Sequence, residues 1–344
     1  MLAARLYKKQ DIRIEEILKP TITAGEILLK VKAATVCGTD LRIFKNGLDT
    51  INEQNPRVLC HEFAGTIEEI GDGVTGYKLG QRVAVAPNIG CGTCDRCVSG
   101  NSHHCKDLTA LGIHLDGGFA QYVKIPASAV RNGNVVEIPD GLSFAAAAAN
   151  EAFSCVYSSF EKYGVHPGDS VVIIGAGAIG LMHAKLAKMA GATKIILNDL
   201  SSERLEQCRA LEPSLVVSSK NLEDFVKKET DSQGANVVIT ACSVAAVQRT
   251  AFSLAALDGR VNFFGGLPKG KENVELDTNL IHYKQLSVTG TTRSSHFHYR
   301  KSLSLMKSMD ADSLITHKFS LEKIKEAFEN ADKTIGLKQA IIFD

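Results

Sequence analysis

The 344-residue chain contains no tryptophan, and aromatic residues make up only 6% of it. Its formal net charge at pH 7 is +1. Proteins that bind nucleic acid usually combine a basic surface with aromatic side chains that stack on bases. The composition therefore disfavours a nucleic-acid-binding module, and the balanced charge equally disfavours electrostatic binding to an anionic membrane.

The sequence also lacks long apolar runs. No stretch of eighteen apolar residues occurs, because His183, Lys185 and Lys188 interrupt even the Ala/Gly-rich segment at 171–197. The first residues alternate apolar with charged side chains and contain no hydrophobic signal region, which predicts an initial β-strand. We therefore expect a cytoplasmic protein, and its length favours two domains.

Cysteine is concentrated in one segment. Four of the nine cysteines lie close together, at Cys91, Cys94, Cys97 and Cys105. Disulfides are rare in a reducing compartment, and an odd cysteine count suits them poorly. Four thiolates with short, glycine-containing spacers predict a closed tetrahedral structural zinc site. An iron–sulfur cluster and four unligated thiols are the alternatives; the cluster is disfavoured because Lys106, not proline, follows the last cysteine.

Three further residues are of the types that bind a catalytic metal ion. Cys37 precedes Gly-Thr-Asp, and His61 and Glu62 are adjacent. A thiolate, an imidazole and a carboxylate from separate segments can bind zinc and leave one position open for water or substrate. Taken singly, a cysteine is more often a core residue and a His-Glu pair more often lies on the surface, so this triplet needs support from elsewhere.

A glycine-rich turn follows an apolar segment that begins at Ser170. Gly175, Gly177 and Gly180 match the pattern Gly-x-Gly-x-x-Gly, with Ile179 inside it, and the next residues have helical spacing. In such a unit the first glycine permits the turn, the second admits a pyrophosphate and the third lets the helix pack on the strand. The pattern predicts a dinucleotide site; a glycine turn that binds nothing is the alternative.

The cofactor preference depends on the end of the next predicted strand. That strand ends in Asp199, 19 residues after Gly180, where an acceptor for a ribose hydroxyl is expected. A carboxylate that accepts from the 2′-hydroxyl would repel a 2′-phosphate, so Asp199 favours NAD over NADP. Arg204 would weaken that repulsion.

Strand and helix patterns continue to alternate downstream, among them a helix over 244–257 and strands over 259–264 and 286–290. This alternation predicts a doubly wound parallel sheet. A further helix begins after Arg293, with Ser294 or Ser295 as its N-cap.

These motifs together resemble the zinc-containing medium-chain dehydrogenases, nearly from end to end of the chain. The resemblance is carried by Cys37-Gly-Thr-Asp, by His61-Glu-x2-Gly-x5-Gly, by the four-cysteine segment and by the turn at Gly175. Within that family the chain is most similar to the polyol branch, which contains sorbitol, threonine and galactitol-phosphate dehydrogenases. The local matches are Glu151, Arg293 and Asp199-Leu-Ser-x-x-Arg204.

The resemblance implies an α/β protein with a mostly-β, GroES-like catalytic domain and a Rossmann domain. The catalytic domain would comprise residues 1–148 and 288–344, and the NAD-binding domain residues 149–287, with the substrate in the cleft between them. It also implies a homodimer or homotetramer, often joined through the edge of the cofactor-domain sheet.

The resemblance further implies two zinc ions and NAD. The catalytic zinc would be bound by Cys37 and His61, with Glu62 or Glu151 as a ligand that alternates with water. The structural zinc would be bound by the four-cysteine segment. Thr39 would pass the alcohol proton outward.

The sequence departs from the family pattern in several places. Relatives commonly have glycine where Cys60 stands, and proline after the equivalent of Glu151, where this chain has alanine. We expect Cys60 to point away from the metal, into the core. Threonine dehydrogenases carry a histidine at the position of Arg42, which counts against threonine as the substrate. Asp40 would orient His61.

Substrate identity depends on the segment around Arg293. The segment combines this arginine with the capping serines and a helix N-terminus. Together these groups favour a substrate that carries an oxyanion or several hydroxyls. We therefore expect reversible hydride transfer between NAD and a secondary alcohol of a polyol or a polyol phosphate. Lys45 would be a second phosphate contact, whereas His296 and His298 would lie on a solvated helix face. Threonine or another secondary alcohol, a zinc-free reductase and a non-catalytic zinc-stabilised binding protein are the alternatives.

Overall fold

The computed structural model describes residues 1–219 and 221–344. The chain divides into two compact units, one formed by Met1–Ser154 with Arg293–Asp344 and the other by Cys155–Thr292. The functional division at residues 148 and 288 stays a prediction. Within the described ranges, no helix is long and apolar enough to cross a membrane.

The first segment of unit 1 is mostly β-structure. In chain order it contains β1 (Leu2–Lys8), β2 (Asp11–Glu16), β3 (Ile27–Thr35), α1 (Gly38–Asn46), β4 (Arg57–Val58), β5 (Phe63–Ile70), β6 (Arg82–Val85), β7 (Asn88–Ile89), α2 (Asp95–Val98), β8 (Thr109–Ala110), β9 (Tyr122–Ile125), α3 (Ala127–Arg131), β10 (Val135–Glu137) and α4 (Phe144–Ala148). Helix α5 (Asn150–Tyr163) then leads into the second unit.

Unit 2 is built from alternating strands and helices. These are β11 (Ser170–Ile174), α6 (Ala178–Met189), β12 (Lys194–Asn198), α7 (Ser202–Leu211), β13 (Val216–Ser218), α8 (Leu222–Glu229), β14 (Ala235–Thr240), α9 (Ala245–Leu254), β15 (Ala255–Phe263), α10 (Thr278–Tyr283) and β16 (Ser287–Gly290). The strands are parallel and have the spatial order β13-β12-β11-β14-β15-β16. Because the order reverses at β11, the predicted doubly wound sheet is confirmed.

The C-terminal segment returns to unit 1 and completes its main sheet. It contains α11 (His296–Leu305), β17 (Ile315–Phe319), α12 (Ile324–Asp332) and β18 (Lys338–Ile342). Strand β18 pairs antiparallel with β3, so the sheet order is β10-β6-β5-β3-β18-β17, with β9 also paired to β3. Apolar side chains of β3 and β5, among them Ile27, Leu29 and Phe63, are fully buried beneath this sheet.

One predicted element ends earlier than its sequence pattern indicates. The helix predicted over 244–257 stops at Leu254, and Ala255 already belongs to β15. Lys284 donates to the carbonyls of Phe252, Ser253 and Ala255, which satisfies acceptors that the helix leaves free at its C-terminus. This long-range cap is not visible in the local apolar pattern.

Candidate active site and cofactor-binding turn

Cys37, His61 and Glu62 come together at one end of the unit 1 sheet. Strands β3 and β5 are antiparallel, so the residues after β3 and those before β5 lie side by side. One potential ligand atom from each of the three residues lies within 4.8 Å of the others. Thiol, imidazole and carboxylate groups at this spacing fit a zinc ion.

Glu151 lies beside the same cluster. It is in the first turn of α5, and its Oε2 is 3.9 Å from Nε2 of His61. Glu151 is 7% exposed and His61 is 6% exposed. Both glutamates thus lie beside the histidine, and the sequence prediction that Glu62 or Glu151 is a further metal ligand stays a prediction.

Burial and neighbouring charges shift the pKa values of Cys37 and His61 in this cluster. Burial raises the pKa of the Cys37 thiol, and the charge of Glu62 raises it further. Burial by itself lowers the pKa of His61, but Cys37, Glu151 and Asp40 outweigh it and hold that pKa well above its usual value. The acidic groups around His61 thus favour a positive charge at this position, as a bound metal ion would supply.

Asp40 contacts the backbone of both ligand segments. Its Oδ2 accepts from the Cys37 amide at 2.9 Å and its Oδ1 from the Cys60 amide at 3.2 Å. Its Oδ1 is 3.9 Å from Nδ1 of His61, too far for a hydrogen bond. Asp40 therefore does not orient the His61 ring, as the sequence analysis expected. It holds the backbone at Cys37 and at Cys60, the residue before His61.

Glu62 is held by two partners that the sequence analysis did not identify. Lys338 Nζ and Thr35 Oγ1 both donate to Glu62 Oε2, while no described residue bonds Oε1. Burial lowers the pKa of Lys338, but the charges of Glu62 and Cys37 more than compensate and raise it. Thr35 lies two residues before Cys37, whereas no local motif signals Lys338.

Thr39 lies next to Cys37 at the start of α1. Its amide donates to the Cys37 sulfur at 3.5 Å, and its Oγ1 accepts from the Arg42 guanidinium at 3.3 Å. The hydroxyl predicted to carry a proton is thus adjacent to the predicted ligand thiol. Arg42 is exposed and ends this short chain of contacts.

Cys60 is buried, as expected from the sequence. Its sulfur lies 3.2 Å from the Glu62 carbonyl and 3.5 Å from that of Thr35, and burial raises its pKa well above the usual value. Its φ of 82° is a left-handed conformation that favours glycine. The backbone conformation thus explains why glycine suits this position. With cysteine, the same conformation carries a steric cost.

The segment around Arg293 differs from expectation in part. Arg293 is exposed, has a φ of 60°, and lies two residues before Ser295, which is the N-cap of α11 as predicted. His298 is buried and completes a capping box with Ser295. His298 is therefore not on a solvated face, because its ring turns back to accept from the Ser295 amide at 3.2 Å. Lys45 forms an ion pair with Asp332.

The four cysteines form a second cluster in unit 1. Their sulfur atoms lie within 4.8 Å of one another, with Cys91 to Cys97 at 3.9 Å and Cys94 to Cys105 at 3.8 Å. Zinc–sulfur bonds of about 2.3 Å in a tetrahedron separate sulfurs by about 3.8 Å. Hydrogen bonds from Thr93 and the Cys94 amide lower the pKa of Cys91 to about 6, whereas burial raises that of Cys97 to about 12. The spacing therefore fits a structural zinc ion.

The glycine-rich turn in unit 2 connects β11 to α6. Gly175 has a φ of 119°, and a Cβ at Gly180 would lie 1.8 Å from the Gly175 carbonyl oxygen. Both positions therefore require glycine. A Cβ at Gly177 would meet only the Arg204 guanidinium, at 3.7 Å, so this glycine leaves open space at the start of the helix. Ile179 is in the first turn of α6.

Asp199 and Arg204 adjoin this turn. Asp199 Oδ2 accepts from the Ala176 amide at 2.8 Å, and its Oδ1 accepts from the Ser201 amide at 2.9 Å. Arg204 Nη1 lies 3.9 Å from Asp199 Oδ2, and no described residue bonds its buried Nε. The predicted ribose acceptor is thus fixed by backbone amides and has a guanidinium at its side.

Two family models match the chain. An alcohol dehydrogenase GroES-like domain matches residues 23–140, and a zinc-binding dehydrogenase domain matches residues 178–308. Sorbitol dehydrogenase of Bacillus subtilis (strain 168) is 32% identical over 337 residues, which cover 96% of this chain and 93% of that protein. The chain belongs to the zinc-containing medium-chain dehydrogenases.

Other similarities agree with membership of this dehydrogenase family. L-threonine 3-dehydrogenase of Rhizobium etli (strain CIAT 652) is 30% identical, covering 96% of this chain and 95% of that protein. A zinc-binding dehydrogenase of Sinorhizobium meliloti 1021, solved with bound NADP, is 30% identical, with a TM-score of 0.89 and 99% coverage of both chains. The predictions of a two-domain dehydrogenase fold, of the polyol branch and of a zinc-dependent oxidoreductase are confirmed.

Proposed function

We propose that this dehydrogenase reversibly oxidises a secondary alcohol of a polyol or polyol phosphate with NAD. The observation that carries the proposal is the convergence of Cys37, His61 and Glu62, with Glu151 beside His61. When bound among these residues, zinc supplies a Lewis acid that lowers the pKa of an alcohol hydroxyl. When bound at the glycine-rich turn, NAD supplies the hydride acceptor.

Different residues of the chain would then bind the metal and transfer the proton. Cys37 and His61 would hold the metal, and Glu62 or Glu151 would be its further ligand from the protein. Thr39 Oγ1 takes the alcohol proton and releases its own outward. Arg42 is a permanent cation and cannot accept that proton, so the proton would pass from Thr39 to solvent.

The four-cysteine segment would hold the structural zinc ion. Because all four ligands come from the protein, this ion has no position open for substrate. Its role would be to stabilise the fold of this segment, whose regular structure is limited to the short helix α2 and the turns around it.

Unit 2 would bind the cofactor at Gly175, Gly177, Ile179 and Gly180. We propose NAD as the preferred form, because Asp199 presents its negative charge next to the turn. Arg204 is the residue that would admit NADP, since its guanidinium lies beside Asp199 and retains a donor that no described residue uses.

On the substrate side we propose Arg293 as a contact, with neutral polyols and polyol phosphates as the two candidate classes. The sorbitol dehydrogenase relative supports a polyol. Lys45 is a weaker candidate for a phosphate contact than the sequence indicated, because Asp332 already pairs with it.

We also propose a homodimer or homotetramer. Strand β16 lies at one edge of the unit 2 sheet, where Ser287, Val288 and Gly290 are exposed. An edge strand with free backbone groups and an exposed apolar side chain is suited to pair with a second copy. The cytoplasmic location stays a prediction from the sequence.

The experiment is to follow NADH formation at 340 nm with the zinc-loaded protein and matched pairs of polyols and polyol phosphates, with L-threonine included. Arg293→Ala is compared with Arg209→Ala, which removes an exposed arginine on α7. A preference for the phosphorylated partner that Arg293→Ala alone abolishes identifies a polyol-phosphate dehydrogenase. A preference for the neutral partner identifies a sorbitol-type enzyme, and no oxidation of any polyol contradicts the proposal.

A further inference from the structure

Unit 1 contains a cavity of about 400 Å³. Its walls include the segment that follows β2, strand β4 and the segment that runs from Leu115 through β9. The lining residues all belong to unit 1, and none of them is a member of the two candidate metal sites. Cavities of this size hold small organic molecules, so the lining indicates which kind of molecule would fit.

Most of the side chains that line this cavity are apolar. Ile17, Leu18, Val58, Leu115 and Tyr122 are among them. Leu18 is 92% exposed, so a large apolar side chain of the lining is left in water. A ligand with an apolar body would cover such side chains and remove them from water, which is favourable.

The lining also contains a guanidinium group with few partners. The Arg57 side chain is only 15% exposed. Among the described residues its hydrogen-bond partner is Asp116, whose Oδ1 accepts from Nη1 at 3.3 Å. The buried Nε has no partner in the described part of the chain. A guanidinium carries five N–H donors, so this largely buried cation is poorly satisfied by the protein, and burying a charge in that way costs free energy.

The acidic residues of the lining have donors of their own. Asp116 Oδ1 also accepts from the Val58 amide at 3.0 Å, and its side chain is 60% exposed to water. Glu26 Oε2 accepts from the amide and the hydroxyl of Thr23, at 2.9 and 3.0 Å, and its Oε1 is 3.6 Å from Lys124 Nζ. The unmet need at this cavity is therefore for an acceptor at Arg57, which a negatively charged ligand would supply.

We propose that this cavity binds a small organic anion that carries a carboxylate on an apolar body. Arg57 binds the carboxylate, because a guanidinium can donate two parallel hydrogen bonds to it. Leu18, Leu115 and Tyr122 cover the apolar body. The site goes beyond the proposed function, since it uses no candidate ligand of either metal and no residue of the glycine-rich turn.

The test measures binding of para-trifluoromethylbenzoate to the full-length, zinc-loaded protein by fluorine NMR. Saturating NADH is present, so that the probe does not occupy the cofactor site. Para-trifluoromethylbenzamide has the same apolar body without the charge and is the matched neutral probe. Arg57→Met removes the guanidinium, and Arg131→Met makes the same change at an exposed arginine of α3 as the control.

We expect the parent and Arg131→Met to bind the benzoate saturably, with a Kd of about 1 mM or below, and to bind the benzamide at least about tenfold more weakly. Arg57→Met should lose that preference for the charged probe. Leu18→Glu provides a second variant, because residue 18 is so exposed that the substitution leaves the fold intact. It places a negative charge at the cavity and should weaken binding of the benzoate about tenfold.

A carboxylate probe could also bind at the candidate catalytic metal, so the measurement is repeated with Cys37→Ser. Benzoate binding that persists in this variant and still depends on Leu18 supports the cavity. Three results would overturn the inference: no saturable binding to the parent, equal affinity for the two probes, or binding that neither Arg57→Met nor Leu18→Glu weakens. None of these results bears on alcohol oxidation, so the inference and the proposed function fail separately.

Discussion

Lys338 donates a hydrogen bond to the Glu62 carboxylate inside unit 1, although 276 residues separate the two in sequence. The antiparallel pairing of β18 with β3 makes the contact, because Ala340 is opposite Thr35 in the register. Both side chains are almost completely buried. The C-terminal strand thus supplies the charge partner of a residue at the centre of the proposed active site.

Replacing Lys338 with methionine should therefore destabilise unit 1. The variant leaves the Glu62 charge buried without its cation, and breaking such a pair from one side costs about 3–5 kcal/mol. Denaturant unfolding followed by fluorescence or circular dichroism measures the loss. Lys318→Met on the neighbouring β17, where the lysine is exposed, is the control and should change stability little. Equal stability of the two variants would mean that the buried pair contributes nothing.

The four-cysteine segment should lose its zinc when one ligand is removed. In Cys97→Ser the bound zinc should fall by about one ion per chain, and the thermal midpoint should drop, since structural zinc contributes on the order of 10 kcal/mol to folding in small peptides. Cys208→Ser changes a buried cysteine outside the segment and should keep the full zinc content. Metal analysis of the purified variants decides the matter, and unchanged zinc in Cys97→Ser would refute the assignment.

Cofactor choice should depend on Asp199. In Asp199→Asn the negative charge is lost while the side chain can still accept from the Ala176 amide, so NAD should be favoured less strongly over NADP. We expect the ratio of kcat/KM for the two cofactors to change by at least about tenfold, equivalent to about 1.4 kcal/mol. Glu203→Gln removes an exposed acid on α7 and serves as the control. A ratio that does not move would exclude Asp199 as the discriminating group.

A buried histidine should make stability depend on pH. Burial lowers the pKa of His183 from 6.5 to about 3. The folded chain therefore keeps His183 neutral between about pH 6.5 and pH 3, while the unfolded chain binds a proton there. Stability should be unaffected by this group above pH 6.5 and should decrease as the pH falls toward 3, by up to about 1.4 kcal/mol per pH unit.

The measurement for His183 is the unfolding free energy as a function of pH in the parent and in His183→Asn, whose side-chain amide can still hydrogen-bond to the Tyr163 hydroxyl. The variant should show a flatter decline between pH 6.5 and pH 4. His282→Asn, at an exposed position of the same unit, should retain the parent slope. Identical slopes in all three proteins would show that His183 does not titrate as its burial requires.

The features predicted from sequence share one property: their signal is local. The cysteine segment and the glycine-rich turn each lie within a few residues, and short spacing largely determines their geometry. The role of Lys338 depends instead on the pairing of β18 with β3, two strands that lie far apart in the sequence, and no local pattern contains that information. The early end of α9 has the same origin, because its cap is the distant Lys284.

The central claim is that Cys37 is a ligand of a catalytic zinc, and Cys37→Ser tests it most directly. Serine preserves the N-cap of α1 but not the thiolate, so the helix should still form. Zinc content and NADH formation from the best polyol substrate are measured together. The control is Cys242→Ser, which changes a half-buried cysteine of unit 2 that belongs to neither candidate metal site. The account predicts that Cys37→Ser loses about one zinc per chain and nearly all activity, whereas the control retains both. Full zinc content with parental activity in Cys37→Ser would contradict it.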